Sequence, residues 1–184
     1  MGAIDKEAYK SMALLSFIDQ LHDDCYHSLS QQCINGRIQV EKVGKLESGE
    51  FTSQYLALCA AVIDEIEANI DSRKEKFIPY IKTLAHKSST NHDCSNCAGG
   101  CKINHDMQLV ELRASHQQIK DILNRLQMVA LPLYTDTIFP DAYRVLRNMM
   151  ALVENNLAEI FFLEENYLIP KIIDAQKSIN VRIS

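Results

Sequence analysis

Apolar residues recur at steps of three and four along most of the chain, a spacing that gives a helix one buried face. This pattern predicts four long helices, over residues 5–35, 52–84, 104–131 and 142–176. The predicted inward positions are, helix by helix, Leu14, Ile18, Leu21, Cys25 and Leu29; Leu56, Cys59, Ile63, Ile66, Ile70 and Phe77; Leu109, Leu112, His116, Ile119, Leu123 and Leu126; and Leu146, Met149, Val153, Ile160, Leu163 and Tyr167. No stretch alternates apolar and polar residues as strands do. The pattern therefore predicts an all-α fold, an antiparallel up-down-up-down four-helix bundle.

Three features interrupt the helical pattern. The dipeptide Asn35-Gly36 threatens to break the first helix, although apolar residues could continue it as far as Gly44. Pro79 and Pro170 lie inside the second and fourth helices, where the missing N–H group predicts a kink. Residues 87–101 are rich in Ser, Asn, Asp and Gly, so we predict a non-helical connector that is long for a helical bundle.

Length and charge narrow the class of protein. The 184 residues suit a single domain covering 1–184, and the formal charge is −5 with Lys and Arg scattered, so we expect no nucleic-acid surface. No apolar run approaches the roughly 18 residues that cross a bilayer, and the first residues lack the pattern of a signal peptide. We therefore expect a cytoplasmic protein that does not bind membranes. Six cysteines in such a chain suit a reducing compartment and metal or redox chemistry.

Three of the six cysteines fall within eight residues, in a cysteine-rich loop at 87–105. A looping backbone with two adjacent glycines can turn three thiolates toward one point, and a histidine flanks the cluster on each side. This is the pattern of a metal site, and its predicted ligands are Cys94, Cys97, Cys101, His105 and His92.

The identity of the metal stays open at this level, because thiolates bind both zinc and iron–sulfur clusters. Such sites usually take four protein ligands, so one ligand must come from outside the three cysteines. We favour His105 slightly over His92, and a cysteine from a second protomer is the other alternative. A redox-active dithiol and plain surface thiols are the competing interpretations of the cluster.

The other three cysteines lie singly on the predicted helices. We expect these residues, Cys25, Cys33 and Cys59, to be buried small hydrophobes. The remaining polar and aromatic candidates are also interpreted structurally: Tyr26 and Tyr167 as core residues whose hydroxyls reach a polar centre of the bundle, and Glu165 as a residue of the outer face.

Two short segments repeat within the chain, Lys-Phe-Ile-Pro-Tyr-Ile at 76–81 and Tyr-Leu-Ile-Pro-Lys-Ile at 167–172. In these segments the chain resembles the hemerythrin-like cation-binding bundles, in which two helices end in an apolar-apolar-proline segment. In that family a His-x-x-x-Glu pair precedes each such segment and holds a non-haem di-iron centre. The resemblance implies a four-helix bundle whose metal ligands face its interior.

Counting back from each proline, the family pattern meets Asn69 and Arg73 in the second helix and Ile160 and Glu164 in the fourth. Three of these four positions lack metal-ligand chemistry, so non-haem iron in the bundle is not expected. The residual ligand set that the resemblance implies is His22, His116 and Glu164. We predict that Arg73 fills the space of the metals and pairs with the remaining carboxylate; a reduced site that holds one metal ion is the alternative.

Three functional hypotheses follow. The leading one is a cytosolic, non-catalytic protein with a cysteine-ligated iron–sulfur cluster or zinc, used for redox or gas sensing or for metal handling, with a protein partner or as a homodimer. The second is a scaffold or interaction protein whose loop holds structural zinc. The third is the di-iron protein that binds or processes oxygen or nitric oxide, as the resemblance alone would imply.

Overall fold

A computed structural model of the chain describes residues 6–46, 49–90, 100–135 and 139–180, without the side chains of residues 6, 100–106 and 180. Every regular element in these ranges is helical, which confirms the all-α prediction. The α-helices are α1 (Lys6–Ser11), α2 (Leu14–Gln20), α3 (His27–Gly44), α4 (Glu50–Ser72), α5 (Ile78–Ser89), α6 (Gly100–Ala130), α7 (Pro132–Thr135), α8 (Asp141–Leu163) and α9 (Ile169–Asn180).

Three short π-helical segments join pairs of these helices end to end. They are Leu21–Tyr26 between α2 and α3, Arg73–Phe77 between α4 and α5, and Glu164–Leu168 between α8 and α9. After each segment a backbone amide bonds to a carbonyl five residues earlier, as the amide of Ile78 does to the carbonyl of Arg73. The three segments, here called the π turns, create continuous helical stretches over residues 14–44, 50–89 and 141–180.

Two of the π turns lead directly into prolines. Pro79 and Pro170 are the second residues of α5 and α9, immediately after the second and third π turns. A proline inside a helix leaves one carbonyl without its usual partner, and π turns are one way in which a helix adjusts its backbone ladder. The structure thus places a π turn directly before each proline, and the predicted kink stays a prediction.

The helices pack around one apolar core. Helix α3 packs against both α4 and α8, α4 packs against α6, and α5 packs against α9 and α2. Most predicted inward positions are buried, including all six in α6. The exceptions are Leu14, Leu56, Met149 and Tyr167, which are only partly buried.

The case of Tyr167 has a clear physical cause. A π turn contains one more residue than an α-helical turn, so the residues that follow it are rotated about the helix axis. As a result Leu168 is fully buried where the regular period predicts Tyr167. The ring of Tyr167 packs edge-on against Phe162 instead, with ring centroids 5.7 Å apart.

The possible break at Asn35-Gly36 is absent, because helix α3 continues to Gly44, the longer end that the sequence left open. Gly36 is buried, and a Cβ atom there would lie 3.1 Å from Cδ1 of Ile63, so this glycine lets α3 and α4 approach closely. The predicted non-helical segment 87–101 is helical at both ends, because α5 continues to Ser89 and α6 begins at Gly100. Residues 91–99 lie outside the described residues.

Candidate functional site

The three π turns meet in the core, and each contributes a buried polar side chain. Tyr26 ends the first π turn, Arg73 begins the second and Glu164 begins the third. None of these three residues is more than 6% exposed. π turns occur frequently at functional sites, because the extra residue directs a side chain where a regular helix cannot. Together with His116 and Glu165, these residues form what we call the buried charge cluster.

Glu164 is the centre of this cluster because its carboxylate accepts four hydrogen bonds. Oε1 accepts from Tyr26 Oη at 2.5 Å and from Arg73 Nε at 2.8 Å. Oε2 accepts from Arg73 Nη2 at 3.1 Å and from His116 Nε2 at 2.5 Å. A carboxylate has about four lone-pair positions, so all of them are used. A protonated carboxyl could not accept all four bonds, and Glu164 is therefore ionised.

Arg73 and Glu164 each shift the pKa of the other toward its charged form. Burial alone would raise the pKa of Glu164, but Arg73 and the hydrogen bond from His116 hold it at about 2. Burial alone would lower the pKa of Arg73, but the charge of Glu164 raises it above its ordinary range. Burial and the charge of Glu164 both raise the pKa of Tyr26 well above its ordinary range, so its hydroxyl stays a donor.

His116 connects α6 to the third π turn through both ring nitrogens. Nε2 lies 2.5 Å from Glu164 Oε2, and Nδ1 lies 2.8 Å from Glu165 Oε1. Both ring nitrogens are therefore within hydrogen-bond distance of a carboxylate oxygen. The ring also stacks on Phe161, with centroids 4.1 Å apart and planes tilted by 31°. His116 is thus held in one orientation by two carboxylates and an aromatic ring.

Several sequence predictions are confirmed at this site. The predicted pair of Arg73 and Glu164 is present, His116 faces inward, and the hydroxyl of Tyr26 reaches the polar centre. The prediction that Glu165 lies on the outer face was wrong: it is partly buried, and its carboxylate bonds to His116. Sequence reasoning missed this contact because it placed only one residue of the Glu-Glu dipeptide on the inward face.

The structure does not bring His22 into this cluster. Its side chain is 38% exposed, and Nδ1 bonds to the neighbouring Asp23 at 2.8 Å. Its ring lies edge-on to Tyr26, with centroids 6.5 Å apart, on the outer side of that residue. Of the three residues that the family resemblance implies as ligands, two therefore meet and one does not.

The cluster does not fit the di-iron centre that the resemblance implies. A metal ion would need the oxygens of Glu164, and the guanidinium of Arg73 bonds to both of them. Asn69 and Ile160, at the remaining family positions, are buried but contribute no ionised ligand. Within the described ranges, no group of three or more His, Cys, Asp or Glu side chains is placed to hold a metal ion.

The six cysteines divide into two sets. Cys25, Cys33 and Cys59 are fully buried free thiols, as predicted, and burial raises their pKa values to about 11, 12 and 12. Of the predicted metal ligands in the loop, Cys94, Cys97 and His92 lie outside the described residues. Cys101 and His105 lie in the first turns of α6, and their side chains are likewise outside the description.

Comparisons with known proteins add no family assignment. No family model, curated protein or solved structure matches the chain. Among the described residues, no helix combines the length and apolarity needed to cross a membrane. The likeness to the hemerythrin-like bundles therefore stays a resemblance in two short segments.

Proposed function

We propose that the chain is a non-catalytic metal-binding protein of the cytoplasm, in which Cys94, Cys97 and Cys101 bind zinc or an iron–sulfur cluster. In this proposal the long helices form an antiparallel up-down-up-down bundle that carries the cysteine-rich loop at one end. The role that follows is redox or gas sensing or metal handling, together with a protein partner or a second copy of the chain.

The observation that carries the proposal is the division of the cysteines. Cys25, Cys33 and Cys59 are buried in the core. Burial raises the pKa values of their thiols and so disfavours the thiolate form that binds metals. The other three are close in sequence, next to the start of a 31-residue helix. The partial positive charge of a helix N-terminus favours thiolates, so the thiols of the loop have the better chemistry for a metal.

The buried charge cluster supports the same proposal by disfavouring iron in the bundle. Arg73 supplies the positive charge that Glu164 needs, and a metal ion beside it would meet repulsion rather than free ligands. The di-iron alternative therefore requires Arg73 to leave a buried site in which it makes two hydrogen bonds to Glu164. For this reason we prefer the loop over the bundle interior.

Helix α6 connects the cysteine-rich loop to the buried charge cluster. Cys101 and His105 belong to its first turns, and His116 of the same helix lies in the buried charge cluster. A ligand that shifts the start of this helix would therefore act on a site where three further long helical stretches meet. This continuity favours a sensing role over a scaffold that merely holds zinc.

The test is metal content and visible absorption of the protein purified without oxygen. We expect either one zinc and no colour, or iron with sulfide and absorption in the visible range. Both signals should disappear when Cys94, Cys97 and Cys101 are changed together to Ser, and should persist in Cys33→Ala, which removes a buried thiol. A metal-free native protein, or stoichiometric iron in the triple variant, contradicts the proposal.

The same measurements also test the scaffold alternative and identify the fourth ligand. A colourless protein whose zinc tolerates oxidants would favour the scaffold with structural zinc. Comparison of His105→Ala with His92→Ala identifies the fourth ligand, since only one of them should weaken zinc binding. If neither does, and the metal-loaded protein is a dimer, the ligand comes from a second protomer.

The bundle arrangement itself is tested by an experimental structure. We expect consecutive long helices to run antiparallel in it.

A further inference from the structure

A surface pocket of about 190 Å³ opens between α4 and α6, beside the buried charge cluster. Its walls include Glu65, Asn69, Arg73, Lys76, Gln108 and Glu111. Asn69 and Arg73 are buried residues and form its floor, whereas Lys76 and Glu111 are exposed at its rim. The pocket is large enough for a small organic molecule.

A second, much smaller cavity shares part of its lining with this pocket. It measures about 10 Å³, room for one group the size of a water molecule. Its lining is mostly apolar, from residues such as Ile66, Ile119 and Phe161, but it also includes Asn69 and Arg73. Asn69 and Arg73 therefore line both the larger pocket and the small cavity.

Both shared residues have unused hydrogen-bonding capacity. Asn69 is only 8% exposed, and its Oδ1 has no partner among the described residues. Arg73 has five N–H groups, of which three have acceptors: two bond to Glu164, and one bonds to the carbonyl of Asn69 at 3.4 Å. An unpartnered buried acceptor costs about 1–3 kcal/mol, so a group that bonds to it is favoured.

The charges around the pocket select a neutral occupant. Arg73 is already neutralised by Glu164, and the carboxylates of Glu65 and Glu111 in the walls disfavour an anion. The positive charge of Lys76 and the N–H groups of Arg73, which can only donate, disfavour a cation in the same space. The occupant must therefore supply both a donor and an acceptor without a net charge.

We propose that this pocket binds a small neutral molecule through a primary carboxamide group. One N–H of the carboxamide donates to Asn69 Oδ1, and its carbonyl accepts from an unused N–H of Arg73. The carboxamide lies against Asn69 and Arg73, and the remainder of the molecule lies in the larger pocket. None of the residues that line this site is a proposed metal ligand, and binding does not depend on a bound metal.

The test uses acetamide as the probe and the full-length, ¹⁵N-labelled protein. Acetamide should give saturable shifts of the Asn69 side-chain NH₂ and Arg73 Nε–H signals. Acetate and methylammonium, which have similar size but carry opposite charges, should give no saturable shift at the same concentrations. Equal responses to all three probes overturn the proposal. So does the absence of a saturable response to acetamide, which would mean that water alone fills the pocket.

Asn69→Leu is the decisive variant, because Leu has a similar volume and removes the unpartnered acceptor. We expect acetamide affinity to fall at least about tenfold, a loss of about 1.4 kcal/mol. Tyr143→Phe is the matched control. It also removes a buried polar atom without a described partner, but this hydroxyl lies outside the pocket, so binding should be unchanged. Retained affinity in Asn69→Leu contradicts the proposal. If this variant does not fold, Asn69→Ala is judged by the same criterion.

Discussion

Arg73 and Glu164 are 91 residues apart, occupy equivalent positions before Pro79 and Pro170, and carry opposite charges that meet in the core. Each is the first residue of a π turn, and the guanidinium bonds to the carboxylate at 2.8 and 3.1 Å. The two related segments of the chain therefore contribute complementary halves of one buried ion pair. This relationship gives the molecule a polar centre without a metal ion.

We expect Glu164→Gln to be strongly destabilising. The variant leaves Arg73 buried without its counter-charge, and breaking a buried ion pair on one side typically costs about 3–5 kcal/mol. Urea unfolding of the two proteins measures the difference in the free energy of unfolding. The matched control is Asp64→Asn, which removes a carboxylate from the surface pair with Arg37 and should cost less than about 1 kcal/mol. Equal losses in both variants would contradict the role given to the buried pair.

Removing both charges should recover stability. Arg73→Met combined with Glu164→Gln takes away the pair but keeps one acceptor oxygen, for either Tyr26 or His116. The double variant should therefore be more stable than Glu164→Gln alone, because no buried charge remains unpaired. A double variant whose loss equals the sum of the two single losses would show that the two residues do not interact.

Two buried tyrosines should respond in opposite ways to loss of the hydroxyl. Tyr26→Phe removes a donor to Glu164 and should cost about 1.5–3 kcal/mol, as expected for a hydrogen bond to a charged group. Tyr143→Phe removes a buried hydroxyl with no described partner, so it should be neutral or stabilising. Thermal unfolding of both variants checks this. The same direction and size in both would argue against a specific bond at Tyr26.

The acid stability of the protein should depend on Glu164. Its pKa is lowered from the ordinary value of 4.5 to about 2 in the folded state. A lowered folded pKa stabilises the fold above the ordinary value, and this stabilisation is lost as the pH falls from about 5 towards about 2. The free energy of unfolding should decrease more steeply over this range in the native protein than in Glu164→Gln. Parallel curves for the two proteins would contradict the assignment.

Thiol labelling should separate the two sets of cysteines. In the native protein at pH 8, iodoacetamide should modify Cys25, Cys33 and Cys59 slowly, because burial blocks access and raises their pKa values. Unfolding in urea should make all three react rapidly. Peptide mapping by mass spectrometry, with the metal removed, gives the rate at each site. Rapid labelling of these three thiols in the folded protein would show that the core opens readily.

The helical pattern and the ion pair could be predicted from the sequence because both depend on regular spacing. The apolar stripe of α6 has an unbroken period, and all six of its predicted inward positions are buried. Arg73 and Glu164 could be paired because each precedes a proline at the same distance. These predictions needed no knowledge of neighbouring helices.

The remaining features depend on tertiary contacts. Adjacent helix residues point about 100° apart, so the inward position of Glu164 predicts Glu165 outside. Its contact with the second ring nitrogen of His116 depends on how α6 packs, which the spacing does not show. The sequence leaves the helix end open at Asn35-Gly36, because it does not show that a Cβ atom at Gly36 would lie 3.1 Å from Ile63 of a neighbouring helix. The rotation at the third π turn likewise cannot be deduced from a fixed period.

The third π turn also separates the polar centre from the register of α9. Because the turn contains one residue more than an α-helical turn, deletion of a single residue within Glu164–Leu168 would restore an ordinary α-helix and leave the residues after it facing the same way. Ile169 and Ile172, which are now buried, would then stay in the core. A one-codon deletion here would therefore change the polar centre while the packing of the last helix is kept.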